Sequence, residues 1–163
     1  MMGKTSKRHD DKGRHIVAQN RRARYDYSIT DTLEAGIVLH GTEVRSLRQG
    51  LASLKESYAS ITKQGELVLL NAHIASYDHA TDEQNHEPTR IRSLLVHARE
   101  KKRLQGAIKK KGYTLVPLNI HFNRRGIAKL ELALALGKKK YDKREKEKEK
   151  IWRRENQAVL RRR

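Results

Sequence analysis

The sequence predicts a mainly β fold, a small closed antiparallel barrel of about six strands with two or three short helices. Three observations carry this reading. Two long stretches in the second half alternate apolar and polar residues around a Gly-ending turn. Turn signals recur at short intervals between the other apolar segments. The excess charge gathers at the two ends, leaving a middle of ordinary globular balance.

The clearest strand is AKLELALAL, residues 128–136. Ala128, Leu130, Leu132, Leu134 and Leu136 fall on one face, and Lys129, Glu131, Ala133 and Ala135 on the other, the period-two pattern of a half-buried strand. YTLVPLNIHF precedes it, with Val116, Leu118, Ile120 and Phe122 expected on one face. NRRG (123–126) joins the two as an antiparallel hairpin. Pro117 has no N–H for a ladder, so it belongs at an edge or a bulge. SYASIT and LVLLN flank KQGE as a second hairpin. YDYSI and EAGIVL are expected as another extended pair, with Gly36 a bend or bulge.

Two helices interrupt the strands. In TEVRSLRQ, Thr42 is expected as N-cap, Val44 and Leu47 lie three apart, and Gly50 stops the helix. AREKKRLQGAIKKK gathers Leu104, Ala107, Ile108 and Lys111 on one face, with Gly112 as C-cap, His97 at the N-cap and Glu100 at the capping-box position. SLKE (53–56) matches a capping box, but strand pattern follows it. DHATDEQNHEP reads as an exposed polar loop ending at Pro88. Strands of this number and length suggest an OB-fold-like barrel, a frequent nucleic-acid scaffold.

The 163 residues carry 37 Lys and Arg against 19 Asp and Glu, a formal charge of +18. Residues 1–24 are net +6, residues 25–137 net +4 and residues 138–163 net +8. This excess points to a polyanionic partner, nucleic acid before an anionic membrane. The expected organisation is a flexible basic arm (1–19), a barrel (20–137) and a basic tail (138–163). Such arms either stay solvated and aid solubility or order on RNA, and the amount of charge favours RNA. There is no cysteine, hence no disulfide or thiolate chemistry. No apolar run reaches the roughly 18 residues of a membrane span, and the N-terminus lacks the apolar centre of a secretory signal. A soluble cytoplasmic protein is the expectation.

No residue set supports catalysis. His73 and His79 with Asp78 and Asp82 match no ligand spacing. No nucleophile elbow, Walker or dinucleotide glycine pattern occurs, so neither cofactor nor small-molecule substrate is expected. Features suited to RNA are more specific. Arg45 and Arg48 make a small cationic stripe, though a solvated helix face looks the same. Arg90, Arg92 and Arg99 precede or open the second helix, where free N–H groups also favour phosphate. Tyr25, Tyr27, Tyr58, Tyr77 and Tyr113 could stack on bases, although each alone is more often a core or rim residue.

Five segments then fall into a pattern: NRRARYDY (20–27), EAG (34–36), GTEVRSLR (41–48), PTRIRSLL (88–95) and GKKKYDKR (137–144). Together, in order and over nearly the whole chain, they resemble the SsrA-binding protein (small protein B) family. The resemblance implies an OB-type barrel that binds the tRNA-like domain of transfer-messenger RNA and delivers it to stalled ribosomes for nascent-peptide tagging. It implies the small-subunit rRNA of the decoding centre as a second partner and elongation factor Tu within the delivery complex. It places RNA contacts on Asn20, Arg21, Arg22, Glu34, Arg45, Arg48, Arg90, Arg92, Leu95 and His97. His97 stands where relatives carry Asn, and Arg45 where they carry Lys. The tail counterparts are Gly137, Lys138, Lys139, Tyr141, Asp142, Lys143 and Arg144.

Beyond them, opposite charges in EKEKEK pair at i,i+3 while i,i+4 pairs are like-charged. Each term is about 0.2–0.5 kcal/mol, so they largely cancel. A helix of this length is marginal in water, and the expectation is a tail disordered when free and helical on rRNA. Trp152 and Val159, seven apart, and Leu160 offer apolar contacts that a purely solvating tail would not need. Two other classes stay open from the residues alone: a ribosomal or generic OB-type RNA-binding protein, and an RNA-modifying enzyme.

Overall fold

The structure, a computed structural model, describes residues 13–110, 112–138 and 140–161. In chain order the elements are β1 (His15–Gln19), α1 (Ala23–Asp26), β2 (Tyr27–Ile37), α2 (Gly41–Arg48), β3 (Ala52–Ser53), β4 (Tyr58–Ile61), β5 (Leu67–Leu70), β6 (His73–Ile74), β7 (Arg92–Leu95), α3 (Ala98–Ile108), β8 (Tyr113–Phe122), β9 (Ala128–Gly137) and α4 (Lys140–Arg161). The large sheet runs β1-β8-β4-β5-β7-β2-β9, and β8 also pairs with β9. Strands β8, β4, β5, β7, β2 and β9 therefore close into a six-membered antiparallel ring, as expected. β3 and β6 form a separate small ladder.

The two expected hairpins are present. β8 and β9 pair from Tyr113↔Leu136 to Phe122↔Ala128, and β4 pairs with β5. The third is different. YDYSI and EAGIVL do not face each other: both lie in β2, one strand of 11 residues running along β9 from Tyr27↔Gly137 to Gly36↔Lys129. The irregularity falls between Ile29 and Asp31, not at Gly36. Gly36 sits in regular pairing with both Leu95 and Lys129. A Cβ there would lie 3.3 Å from Leu95 Cβ, so its glycine serves a close approach between β2 and β7. Residues 15–19, assigned to the flexible arm, instead form β1 and pair with Asn119–Phe122.

Pro117 sits at a bulge. Its partner is Leu132 and that of Asn119 is Glu131, so Leu118 is the extra residue. One added residue reverses which side chains face which way. Leu115, Ile120 and Phe122 join Leu130 and Leu132 in the main core with Leu47, Leu54, Leu69, Ile74, Leu94 and Leu104. Val116 and Leu118 instead turn to a second cluster with Ala133, Ala135 and Ala23 of α1. The single apolar face expected for β8 is thus divided between two cores.

Helix α2 begins one turn-step earlier than expected, capped at His40 and not at Thr42. Glu43 Oε2 accepts the His40 N–H at 2.7 Å, while the Thr42 hydroxyl bonds His86 Nδ1 at 2.8 Å. His86 also bonds the Ile74 carbonyl through Nε2, and the Asn85 amide bonds both the N–H and the carbonyl of Tyr77. The polar 78–88 segment is therefore pinned at its base, where an exposed loop was expected. α3 is capped at His97 with Glu100 Oε2 accepting the His97 N–H at 3.1 Å, as the spacing indicates.

Glu43 is fully buried and pairs with two arginines. Arg92 Nε reaches Oε1 at 2.8 Å and Arg90 Nη2 reaches Oε2 at 2.6 Å. Arg92, also fully buried, spends its other donors on the carbonyls of Ala72, Pro88 and Arg90. Burial pushes the Glu43 carboxyl up, but Arg90, the His40 N–H and Arg92 together hold it below its ordinary value. Burial pulls the Arg92 guanidinium down, and Glu43 opposes that pull. Because the folded Glu43 value is the lower one, its contribution to stability is present above the usual glutamate range and lost as pH falls through it. Glu43→Ala leaves Arg92 buried without its counter-charge, and denaturant unfolding is expected to show a loss of about 3–5 kcal/mol. Acid titration of the parent protein should lower the melting temperature below about pH 4.5, and the variant should lose that component of the pH dependence.

Candidate RNA-binding face

Period-two geometry decides what the barrel shows to solvent. On β7, Arg92 and Leu94 point inward, while Ser93 and Leu95 point outward. On β2, Leu33 and Ala35 are buried and Glu34 is exposed. The β2–β7 pairing sets Leu95 against Gly36, and the chain then turns into the cap of α3. The result is a cavity of about 390 Å³ lined by Glu34, Gly36, Leu95, Val96, His97, Glu100 and Lys129. Three residues that the resemblance singled out, from separate stretches, meet here: Glu34, Leu95 and His97. Leu95 is 62% exposed, and Val38 just after β2 and Ile91 just before β7 are exposed too. Apolar side chains left this open suit packing against a base or sugar.

The Glu34 carboxylate is held from one side. Its Oε2 lies 3.1 Å from His121 Nε2 and 3.6 Å from Arg14 Nη2. Half exposed, it keeps acceptor capacity toward solvent, which a base amino group could use and a phosphate could not.

A second concavity of about 580 Å³ collects Asn20, Arg21 and Arg22 with Lys55, Glu56, Tyr58 and Tyr27. Arg21 and Arg22 are exposed and Tyr58 is 43% exposed. Asn20 has a structural task as well: its N–H and its amide bind the carbonyls of Leu118 and Pro117, tying the chain to the bulge. Arg22 lies 3.8 Å from Asp26.

Two expectations about arginine need correction. Arg92 presents no surface, because its guanidinium is consumed by Glu43 and three carbonyls. Arg90 is half-buried on Glu43 and also donates to the carbonyls of Val38 and Ile91. Neither forms a phosphate cluster at the start of α3; of that trio only Arg99 is exposed, and Glu100 already serves the first turn. The α2 stripe fares better. Arg45 and Arg48 are exposed, Arg45 lying 5.5 Å from the Tyr77 ring and Arg48 4.8 Å from Phe122. Among the described tyrosine side chains only Tyr58 is exposed, and Tyr77 lies edge-on to His79.

The tail residues Lys140–Arg161 form a helix of 22 residues. It is held at its root. Lys143 pairs with Asp26 at 3.1 Å, Lys146 Nζ and Lys138 Nζ both donate to the Arg24 carbonyl, and the Tyr25 hydroxyl donates to Glu147 at 2.7 Å. These contacts with α1 nucleate the first turns, and the Glu149–Arg153 pair adds an i,i+4 term that the EKEKEK stretch lacks. The hydrogen bond to Glu147 raises the Tyr25 phenol, and the neighbouring Lys146 lowers the Lys138 ammonium. Asp142 and Arg144 are exposed, Gly137 ends β9 against Tyr27, Lys139 lies outside the described residues, and the Tyr141 side chain is outside them too. Trp152, Val159 and Leu160 are exposed, as is Ile151, which sequence reasoning passed over although it extends the same apolar surface. Among the described residues no helix is long and apolar enough to cross a membrane, and no acidic or histidine cluster is placed to hold a metal.

Fold and face define a small antiparallel barrel of the kind that takes nucleic acid on its outer surface. The SmpB protein family model matches residues 17–162, and the chain belongs to this family. It is 54% identical over 145 residues to the SsrA-binding protein of Rhizobium etli (strain CIAT 652), covering 89% of this chain and 90% of that one. It is 56% identical, at the same coverages, to that of Allorhizobium ampelinum. A chain of the solved structure "tmRNA-SmpB: a journey to the center of the bacterial ribosome" matches with a TM-score of 0.63 and 52% identity, over 75% of this chain and 84% of that chain.

If α1 anchors the tail, Tyr25→Phe should speed backbone hydrogen exchange in the first turns of α4 and leave exchange in β8 and β9 unchanged. Equal protection in both proteins would show that the phenol is not an anchor.

Proposed function

We propose that this protein is an RNA-binding adaptor of trans-translation. It binds the tRNA-like domain of transfer-messenger RNA, brings it to stalled ribosomes and lays its C-terminal tail into the decoding centre and mRNA channel. The observation that carries this is the meeting of Glu34, Leu95 and His97 around one open, partly apolar cavity. The names of the relatives support the choice of RNA. Leu95 supplies apolar contact, Glu34 accepts from base amino groups, and His97 offers one ring nitrogen where relatives carry an amide. Arg45 and Arg48 add phosphate contacts, as do Arg21 and Arg22 beside Asn20. Arg90 acts through Glu43, and Arg92 is given no contact with RNA.

The division of labour follows the domains: residues 20–137 recognise the RNA and residues 138–163 read the ribosome. Along the tail, Lys138, Lys143 and Arg144 neutralise rRNA phosphate, while Trp152, Val159 and Leu160 stack or fill a groove. Elongation factor Tu joins the delivery complex, the site of action is the cytoplasm, and the role is recognition, with no catalytic step. A generic RNA-binding role would rest on phosphate neutralisation alone.

Truncation after Gly137 is expected to leave binding to the tRNA-like domain near normal and to abolish peptide tagging on stalled ribosomes; persistent tagging would refute the role given to the tail. Leu95→Ala should weaken binding to the tRNA-like RNA by about tenfold without altering its salt slope. An unrelated hairpin of equal length should bind more weakly throughout a salt series, and equal affinities would mark the generic alternative.

A further inference from the structure

We propose that His121, buried behind the RNA-binding face, is a positioning residue that holds the Glu34 carboxylate in its RNA-accepting orientation. This rests on the reading of Glu34 given above. Glu34 and Glu131 stand directly opposite each other across β2 and β9, and like charges so placed repel. Asn119 is the partner of Glu131 on β8, and His121 is the partner of Lys129. These side chains make one connected line. Asn119 Nδ2 donates to Glu131 Oε2 at 2.5 Å, His121 Nδ1 meets Asn119 Oδ1 at 2.8 Å, and His121 Nε2 meets Glu34 Oε2 at 3.1 Å.

The direction of the first bond follows from its ends. Glu131 is a carboxylate, so the Asn119 amide must turn its NH₂ toward it. The Asn119 oxygen then faces His121 Nδ1 at 2.8 Å, and Glu34 Oε2 lies 3.1 Å from Nε2, so the ring bridges Asn119 and Glu34 through its two nitrogens. With no exposure of its own, the ring depends on these two partners. The charged groups facing it are Glu34 on β2, Arg14 ahead of β1, and Lys129 and Glu131 on β9. The line thus separates the two opposed carboxylates and sets the angle at which Glu34 meets solvent. A rotatable surface glutamate would have to be ordered on binding; this one is ordered beforehand.

A double-mutant cycle in the full-length protein, read as affinity for the tRNA-like RNA, tests this. Glu34→Ala should weaken binding by about tenfold. His121→Phe should weaken it several-fold alone and add nothing in the Glu34→Ala background. His121→Gln, whose amide can still donate to Glu34, should recover most of the loss. Asn119→Ala should repeat the His121→Phe pattern in milder form and serves as the reading if His121→Phe does not fold. If His121→Phe or Asn119→Ala weakens binding equally in both backgrounds, the role of His121 is structural and the proposal is overturned. If Glu34→Ala alone has no effect, the assignment of Glu34 itself falls, and the positioning role with it.

Discussion

The structure depends on one buried carboxylate. Glu43 is reached by Arg92 from β7 and by Arg90 from the segment before it, and its second oxygen caps α2. Remove that charge and three things lose their reference: the start of α2, the path of residues 86–91 and the seat of β7. A buried anion with one fully buried and one half-buried cation is expensive to place, and the expense is tolerable because each guanidinium nitrogen of Arg92 has an acceptor. Arg92 alone satisfies carbonyls of Ala72, Pro88 and Arg90. The cluster is therefore better understood as a specifier of geometry than as a source of stability. Its functional consequence is indirect: because Arg92 is fixed inward, Leu95, three residues on, is fixed outward beside Glu34.

The bulge at Pro117 makes a comparable decision for the other half of the barrel. A proline lacks an N–H, and the ladder skips at Leu118 where β8 passes from its β4 neighbour to its β1 neighbour. The half-turn sends Val116 and Leu118 under α1 and leaves Ile120 and Phe122 in the main core. It also places Asn119 and His121 on the face opposite Ile120, behind Glu34. Without the extra residue the apolar and polar sets of the strand's end would exchange sides. The second core and the polar line behind Glu34 thus share one cause.

Much of this was legible in the chain. The alternation in β8 and β9 and the turn signals of NRRG and KQGE identified four ring strands, because each pair is joined by a short turn. β2 was harder. Its outward residues Ser28, Thr30, Thr32 and Glu34 are polar, its first inward residues include Tyr27 and Asp31, which are not core types, and Gly36 imitates a break. The part of the reading that concerned arginine failed for a different reason. In a chain this basic, Arg reads as phosphate-directed, yet period two already puts Arg92 on the face of Leu94. What the sequence could not supply was the partner, since Glu43 lies 49 positions away. Glu34, Leu95 and His97 came from family resemblance; spacing alone would have left Glu34 an ordinary exposed strand residue. His121 carried no signal at all, because a histidine in an alternating strand is most simply a polar outward position.

The tail shows how a marginal helix can be decided by its first turns. Charge pairs within EKEKEK nearly cancel, so propensity alone leaves the segment undecided, and nucleation is the unfavourable step. The contacts from α1 fall on Lys138, Lys143, Lys146 and Glu147, about two turns at the root. Once those turns exist, each further residue adds a backbone bond at little cost. Beyond them the described residues of α4 are exposed, with Ile151, Trp152, Val159 and Leu160 among them. Exposed charge pairs and a single phenol bond are weak and salt-sensitive, so the root is held firmly enough to start the helix and loosely enough to let a larger polyanion redirect it. A tail anchored by a buried apolar contact would be fixed in one direction; in the function proposed above, an arm that follows an RNA-lined path is better served by polar anchors that exchange one set of oxygen acceptors for another.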